Sequence, residues 1–586
     1  MKTSEFIVSY LKTLNVKIIH GYIGGVVTPL LDSVYKNPHV NFFSCQHEQA
    51  SSFAASASAK YNNSLQVVVA TSGPGATNLI TGIADAYFDS APVLFITGQV
   101  NTYDFKFNKK IRQQGFQETD IVSIVKPITK YCSLIKDSNQ VVNELKKAIS
   151  IALSGRKGPV LLDIPFNIQQ SNIELSDDAF DLKIKTNEDK ISEQDLKDIR
   201  DMISASKMPL ILAGGGCSSS NAKNLLTNFA EIIDAPVVVS LMGKDSFSHN
   251  HRLFAGFIGA YGNRYGNILL SRSDLLIVLG SRLDSRQVGN NVESFNDKKI
   301  IWIDIENEEI LYSKLYPKKV IKCDLKIFLK RMISFLKINN INYTRTKYVT
   351  LLSTLKTQFH SLSELKRAGK INWHYQIMDK ISSYMSDDDV MCVDVGQSQM
   401  IAAQTINIIN NQRFINSGGM APMGYALPAA IGISKTFNKR TIVVAGDGGL
   451  QMNIQELNVV AKNNLPIIII VFNNKSLGMI KQFQELYFDK NYVATDESSG
   501  YYSCDFESIA KSYSINSFKI SRNSKNIDKI IKEIFNNYQT PTLLEIDLDY
   551  DTYVYPKLSF DKQIENLNPA LTPLELENLE KILSEI

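Results

Sequence analysis

Continuously apolar runs of four to eight residues, each closed by Gly, Ser, Thr, Asp or Pro, recur along the whole 586-residue chain. Such a run hides both faces of a strand. That is the demand of a parallel sheet covered by helices, not of an antiparallel sheet with one wet face. Residues 67–70 and 93–97 flank a helical pattern at 78–87, and 160–164 is closed by Pro165. Residues 210–213 lead into Gly214-Gly215-Gly216, and 237–240, 275–279 and 300–305 follow. A third set lies at 390–395, 441–445, 467–472 and 542–546. Alternating strands and helices of this kind predict an α/β fold.

At about 100–200 residues per domain, this length predicts three to five domains. The polar stretch 169–193 reads as one linker, and the lysine-rich, mostly helical 326–370 as a second connector. The expected division is 1–170, 191–335 and 365–547, with a tail at 548–586. Thr572 as N-cap and Pro573 as first helical residue predict a short final helix near 574–586. Two units of similar style flanking a third fit a duplicated fold without establishing it.

Lys plus Arg is 63 and Asp plus Glu is 59, a net charge of +4. That balance argues against a dedicated nucleic-acid or polybasic membrane surface, and leaves room for a local patch. No apolar run approaches the ~20 residues that span a bilayer. Lys2, Glu5, Lys12 and Lys17 interrupt the N-terminus, so a secretory signal is not expected. The six cysteines form no CxxC pair and suggest no disulfide framework. The seven histidines form no HExxH motif, which argues against zinc. A cytoplasmic location is the simplest expectation.

The strongest chemistry follows the strand-like 441–445. Gly446-Asp447-Gly448 comes directly after it, and after twenty-four intervening residues Asn473-Asn474 closes the next run. A carboxylate and an amide oxygen at neighbouring strand ends meet at the carboxyl edge of a parallel sheet, where ligands bind. With a backbone carbonyl they leave room for phosphate oxygens and water around Mg2+, which takes about six oxygens. A lone Gly-Asp-Gly is a common turn. The pair, at this spacing and after two buried strands, is more specific.

This pattern resembles the thiamine-diphosphate signature of the decarboxylase and acetolactate synthase superfamily. Ala70 to Asn78, Gly98-Gln99-Val100, Phe116 to Thr119, Gly158 to Pro165, Val395-Gly396-Gln397 and Ser417 to Gly424 resemble acetolactate synthase-like enzymes as well. The similarity runs from about Phe6 to Asp547. It implies three doubly wound parallel-sheet domains: pyrimidine-binding, central and diphosphate-binding. It also implies a homodimer or homotetramer with thiamine diphosphate held between subunits. Glu48 matches the glutamate that hydrogen-bonds the aminopyrimidine and drives a proton relay. Taken alone, it reads as a glutamate at a helix N-terminus. Gly24 and Gly25 match a loop whose amides face the reacting carbonyl, and Gln117 a glutamine near the substrate. Met423 matches the apolar residue beneath the thiazolium, with Ala421 nearby. Val395, Gly396, Gln397, Ser398, Gly448 and Gly449 match diphosphate contacts; many relatives have His in place of Ser398. Asp447, Asn474 and the carbonyl of Ser476 match the Mg2+ ligands.

The resemblance further implies FAD in the central domain, at Gly214, Gly215 and Gly216, with Arg156, Arg286, Asp304 and Asp324. The chain departs from the family at Phe166, usually Lys, at Phe483, usually Trp, and at Ile23, usually Pro. Residues 101–114 are longer and basic, and 259–267 replace a shorter loop. The implied reaction is carboligation: pyruvate is decarboxylated and its two-carbon unit joins a carbonyl acceptor, giving 2-acetolactate when that acceptor is pyruvate. Alternatives are a keto-sugar nucleotide acceptor in branched-sugar synthesis, simple 2-keto acid decarboxylation, or a non-catalytic cofactor-binding relative.

Overall fold

The computed structural model describes residues 1–184, 191–537 and 539–584. Three six-stranded sheets, parallel throughout, organise them. The first holds β1 (Ile18–Gly21), β2 (Asn41–Ser44), β3 (Gln66–Ala70), β4 (Val93–Gln99), β5 (Tyr131–Leu134) and β6 (Val160–Pro165), in the order β2-β1-β3-β4-β6-β5. The second holds β7 (Pro209–Ala213), β8 (Val237–Val239), β9 (Phe254–Phe257), β10 (Leu275–Leu279), β11 (Lys299–Asp304) and β12 (Lys319–Lys322), in the order β12-β11-β10-β7-β8-β9. The third holds β13 (Val390–Val393), β14 (Arg413–Asn416), β15 (Thr441–Gly446), β16 (Ile467–Asn473), β17 (Asn516–Ser521) and β18 (Thr542–Asp547), in the order β14-β13-β15-β16-β18-β17. The fully apolar runs became inner strands, and every residue of β3, β4, β7, β10 and β16 is buried.

Counted from its own first strand, the third sheet repeats the order of the first. This is the duplication that the sequence only suggested. In each copy a helix follows the second strand: Glu48–Asn62 in one, Ala426–Phe437 in the other. The two helices pack against each other through small residues. Ala50, Ala54 and Ala57 share a buried core with Ala429, Ala430 and Ile433. A Cβ on Gly432 would lie 2.2 Å from the Ala54 carbonyl oxygen, so the helices touch backbone to side-chain-free backbone.

The stretch expected to be a linker packs instead, as far as it is described. The helix Phe166–Gln170 closes the first unit, and Ile173 and Ala179 enter its core. Ile173 N donates to Met1 O at 2.9 Å, which ties this stretch to the N-terminus. The scattered Ile173, Leu175, Ala179 and Leu182 make no readable period, yet the first and third of them enter the first core and the other two pack against it. Residues 185–190 of that expectation lie outside the described residues. The second connector is helical, but its helix Leu325–Ile338 buries Phe328, Leu329, Met332 and Leu336 in the core built around the middle sheet.

The tail returns over the molecule. β19 (Lys557–Leu558) and β20 (Leu567–Asn568) pair antiparallel, and the helix Pro573–Leu583 follows with Thr572 as its cap. Residues 585–586 of the expected final helix lie outside the described residues. Arg264, on the helix Arg264–Arg272, holds the tail in place. It pairs with Glu364 through Nε and Nη2, both at 2.8 Å, and donates to the carbonyls of Leu567 and Pro569.

Candidate active site

β15 and β16 are neighbours in register, Gly446 opposite Phe472, so Asp447 and Asn474 leave the sheet at the same carboxyl edge. Asp447 opens the short helix Asp447–Gln451 and is buried. Burial pushes its carboxyl up to about 6, against the Tyr501 hydroxyl, the Gly448 N–H and the Ser503 hydroxyl, which favour the charged form. Its Oδ2 is buried and has no hydrogen-bond partner among the described residues. Such an atom costs about 1–3 kcal/mol unless a ligand meets it.

Asn473 and Asn474 divide the labour. Asn473 belongs to the scaffold: its Nδ2 donates to Glu545 Oε1 at 2.8 Å, and its Oδ1 accepts from Ser503 Oγ and Lys475 N. Asn474 donates through Nδ2 to Gln397 Oε1 at 3.1 Å, which orients its amide and turns its oxygen the other way. Gln397 is itself held, because its Nε2 donates to the Thr552 carbonyl at 2.8 Å. Ser476 is fixed by its hydroxyl bond to Thr495 O and by a bridge to Asp496. No group of three or more His, Cys, Asp or Glu could hold a metal among the described residues. The donors present are oxygens from one carboxylate, an amide and the backbone, a hard set suited to Mg2+ with phosphate and water completing the shell.

The predicted diphosphate residues gather around this edge. A Cβ on Gly448 would meet Leu477, the Met423 methyl at 3.1 Å and the Tyr501 hydroxyl, so Met423 lies directly over the Asp447 turn. Gly449 abuts Asp394, whose Oδ1 would lie 2.9 Å from an added Cβ. Asp394 was not singled out in the sequence, yet it organises the loop. Its two oxygens accept from Gly424 N and Ala426 N, each at 3.0 Å, and burial raises its carboxyl to about 6. It ends β13 as Asp447 ends β15, so the same strand-end logic could have found it. Ala421 takes a left-handed φ of 52°, and its N–H donates to Ser417 Oγ. Gly396 has φ 117° with open space where a Cβ would project, and Ser398 Oγ donates to the Asp394 carbonyl. Val395 borders the interdomain cavity described below.

The first-domain residues form a second group. Glu48 begins its helix behind the His47 cap, is 7% exposed, and accepts from Asn78 Nδ2 at 2.9 Å. A Cβ on Gly75 would lie 2.7 Å from Thr71 and 3.3 Å from Glu48 Oε1, and one on Gly24 would strike Thr71. Glu48, Thr71, Gly75 and Gly24 are therefore one cluster, with Gly25 next in the chain and open space beside it. Gln117 touches it through Gly73 and takes a left-handed φ of 62°. No hydrogen bond or ion pair joins the Glu48 and Asp447 groups among the described residues.

A cavity of about 580 Å³ lies between the three units. Arg156, Gly215, Gly216, Arg286, Asp304 and Asp324 line it. Gly214 serves the packing, since a Cβ there would lie 2.1 Å from the Gly280 carbonyl oxygen. Arg156 pairs with Glu306 at 2.9 Å and Glu309 at 2.6 Å. Burial raises Asp304 to about 6, and Asp324 caps the helix Leu325–Ile338. Phe483 and Met479 reach the same cavity from the third unit. Lys60 bonds Asp89 at 2.8 Å, and Asp89 accepts from Gly418 and Gly419, which fastens the first unit to the third at its wall.

Comparison with known proteins agrees with this architecture. The thiamine pyrophosphate enzyme N-terminal TPP binding domain matches residues 1–124, the central domain 196–332 and the C-terminal TPP binding domain 394–546. The acetolactate synthase large subunit of Cyanidium caldarium is 34% identical over 561 residues, covering 93% of each chain. That of Lactococcus lactis is 33% identical over 565 residues, covering 95% of this chain and 94% of its own. The chain belongs to the thiamine pyrophosphate enzymes of the acetolactate synthase type. The isozyme 1 large subunit of Escherichia coli K12 is 32% identical over 554 residues, again across more than nine-tenths of both chains. For a thiamine pyrophosphate enzyme, the sequence also missed Tyr501, whose hydroxyl stands beside Gly448, and Asn78, which holds Glu48. Each sits in a loop or on a helix with no apolar period to mark it. No helix among the described residues is long and apolar enough to cross a membrane.

Proposed function

We propose that the protein is a carboligase that decarboxylates pyruvate and transfers the two-carbon unit to a ketone, giving 2-acetolactate when that ketone is a second pyruvate. The observation that carries this reading is the buried, partnerless Asp447 Oδ2 beside the oriented Asn474 amide. Asp447, Asn474 and the Ser476 carbonyl are the residues to hold Mg2+. Gly448 and Gly449 offer backbone N–H groups, and Met423 the apolar floor. Bound thiamine diphosphate supplies a carbon nucleophile toward the 2-keto acid.

The chain's own groups do the rest. Asn78 holds Glu48 in one orientation, where its carboxyl can exchange a proton with a ring nitrogen. Gly24 and Gly25 amides would meet charge developing on the substrate carbonyl, and Gln117 would position that substrate. The interdomain cavity would hold FAD, with Gly215 and Gly216 near its diphosphate and Arg286 toward its ring system. Arg156 would exchange part of its pairing with Glu306 and Glu309 for the ligand. The Glu48 and Asp447 groups belong to opposite halves of such a site, so a homodimer or homotetramer in the cytoplasm completes the reading.

The test is pyruvate consumption with Mg2+ and thiamine diphosphate, with Glu48→Gln as control. Loss of turnover in the variant is expected. Equal rates in the two proteins, or no consumption of any 2-keto acid, would reject the assignment. A flavin absorption band in the purified protein tests the second cofactor.

A further inference from the structure

Residues 101–115 join β4 to the Phe116–Thr119 motif with more positive charge than the fold uses. They carry Lys106, Lys109, Lys110 and Arg112 against a single carboxylate, Asp104. Lys106 Nζ donates to the Arg112 carbonyl at 2.9 Å, and Lys109 Nζ to Gln114 Oε1. None of the four cations pairs with a carboxylate among the described residues. Lys136 adds a fifth, its ammonium 5.5 Å from the Phe107 ring. Like charges crowded on one turn repel one another. A loop with no use for these cations would gain by interleaving acids.

The loop is also fixed in place. Buried Glu118 accepts from Lys106 N at 3.0 Å, Gln114 N at 2.7 Å and Gly115 N at 3.2 Å. Both ends of the cationic turn thus rest on one carboxylate. Upstream, Thr102 and Asn167 exchange two hydrogen bonds, Thr102 N to Asn167 Oδ1 at 3.0 Å and Asn167 Nδ2 to Thr102 Oγ1 at 2.9 Å. Asn167 directly follows Phe166, one of the departures from the family. Downstream, Gln117 touches Gly73 in the Glu48 cluster. Exposed rings stand beside the charges: Tyr103 at 71%, Phe107 at 43% and Phe116 at 86%.

We propose that this loop binds the phosphate or diphosphate of a phosphorylated ketone, the acceptor for the two-carbon unit. The inference rests on the carboligase reading above. Pyruvate carries one negative charge, which a single cation would balance; four unpaired ones suit a polyanion. Arginine takes phosphate in a two-pronged bond, and lysines add point charge. The exposed rings offer a face for a sugar or base.

The test titrates the full chain, loaded with thiamine diphosphate and Mg2+, with uridine diphosphate, inorganic pyrophosphate and uridine. Wild type is compared with the triple variant Lys109→Gln/Lys110→Gln/Arg112→Gln. Wild type is expected to bind uridine diphosphate at least tenfold more tightly than uridine, and the variant to lose at least tenfold of that affinity. Pyrophosphate binding as tightly as uridine diphosphate points to a simple phosphate ester; weaker binding points to a nucleotide-linked ketone. Equal affinity in the two proteins, or no preference over uridine, overturns the proposal. So does a change in the variant's association state by sedimentation, which would make the loop a contact with a second copy. Pyruvate consumption without added acceptor, measured on the same samples, is expected to be unchanged. Its absence from wild type would reject the carboligase reading and leave the loop result standing.

Discussion

Replacing Glu364 with alanine is expected to release the C-terminal tail, because its partner Arg264 serves two masters. Arg264 is 1% exposed and Glu364 fully buried. The guanidinium spans the carboxylate with two bonds of 2.8 Å and also donates to the carbonyls of Leu567 at 3.2 Å and Pro569 at 2.6 Å. Removing the carboxylate strands a buried cation, at a cost of about 3–5 kcal/mol. Replacing both partners, Arg264→Met with Glu364→Leu, removes that charge but orphans two carbonyls, about 1–3 kcal/mol each. The double variant is therefore expected to be no more stable than wild type. A buried pair without such tail bonds commonly gains from apolar replacement. A three-domain chain does not unfold in one step, so the readout is amide exchange across residues 560–571, which follows local opening. Both variants should lose protection there while β16 keeps its own. Wild-type protection in the double variant, or no change in Glu364→Ala, would refute the idea that this pair fastens the tail.

Gly432→Ala places a Cβ 2.2 Å from the Ala54 carbonyl oxygen and should force the two domain-bridging helices apart, costing 1–3 kcal/mol or about that by the usual price of overpacking. A lowered melting temperature with retained secondary structure would be the signature. Asp163 accepts from Thr97 Oγ1 at 2.8 Å and Gln99 Nε2 at 2.9 Å, and burial pushes its carboxyl up to about 7. The unfolded chain releases this proton near pH 4 and the folded chain near 7, so stability should fall as pH rises between them, by an order of 4 kcal/mol at most. Urea titrations of Asp163→Asn should show a flatter dependence over that window. Asp447→Ala should abolish Mg2+-dependent retention of thiamine diphosphate, checked by mass spectrometry of the desalted protein. With a site shared between two copies, as proposed, Glu48→Gln and Asp447→Ala chains, inactive separately, should recover about a quarter of wild-type activity when co-assembled, since half of such dimers would be mixed and one of two sites in each would be intact.

The inner strands were legible because a strand buried on both faces must be apolar at every position. Asp447 and Asn474 were legible for a related reason, since polar residues ending such strands stand out. The Glu48 assignment came from resemblance, and the structure adds Asn78 and Thr71 around it. Asp394 was readable by the strand-end rule but lay outside the Gly-Asp-Gly pattern. The packing of 171–184 was hidden because scattered apolar residues without a period give no signal. Gly214 and Gly216, both matched to flavin contacts, also leave room for Gly280 just past β10. Spacing alone does not show that a glycine serves its neighbour's backbone.

The first and third sheets share one strand order and meet across helices lined with alanine and glycine, which couples their histories as meshed gears are coupled. Neither domain can change the spacing of its own helix without the other following, because Ala54 and Gly432 leave no slack between them. The middle sheet, with a different order and a roomy cavity at its border, carries no such constraint. New ligand preferences are thus expected to arise at its loops and at the surface insertions, while the paired domains stay fixed in size.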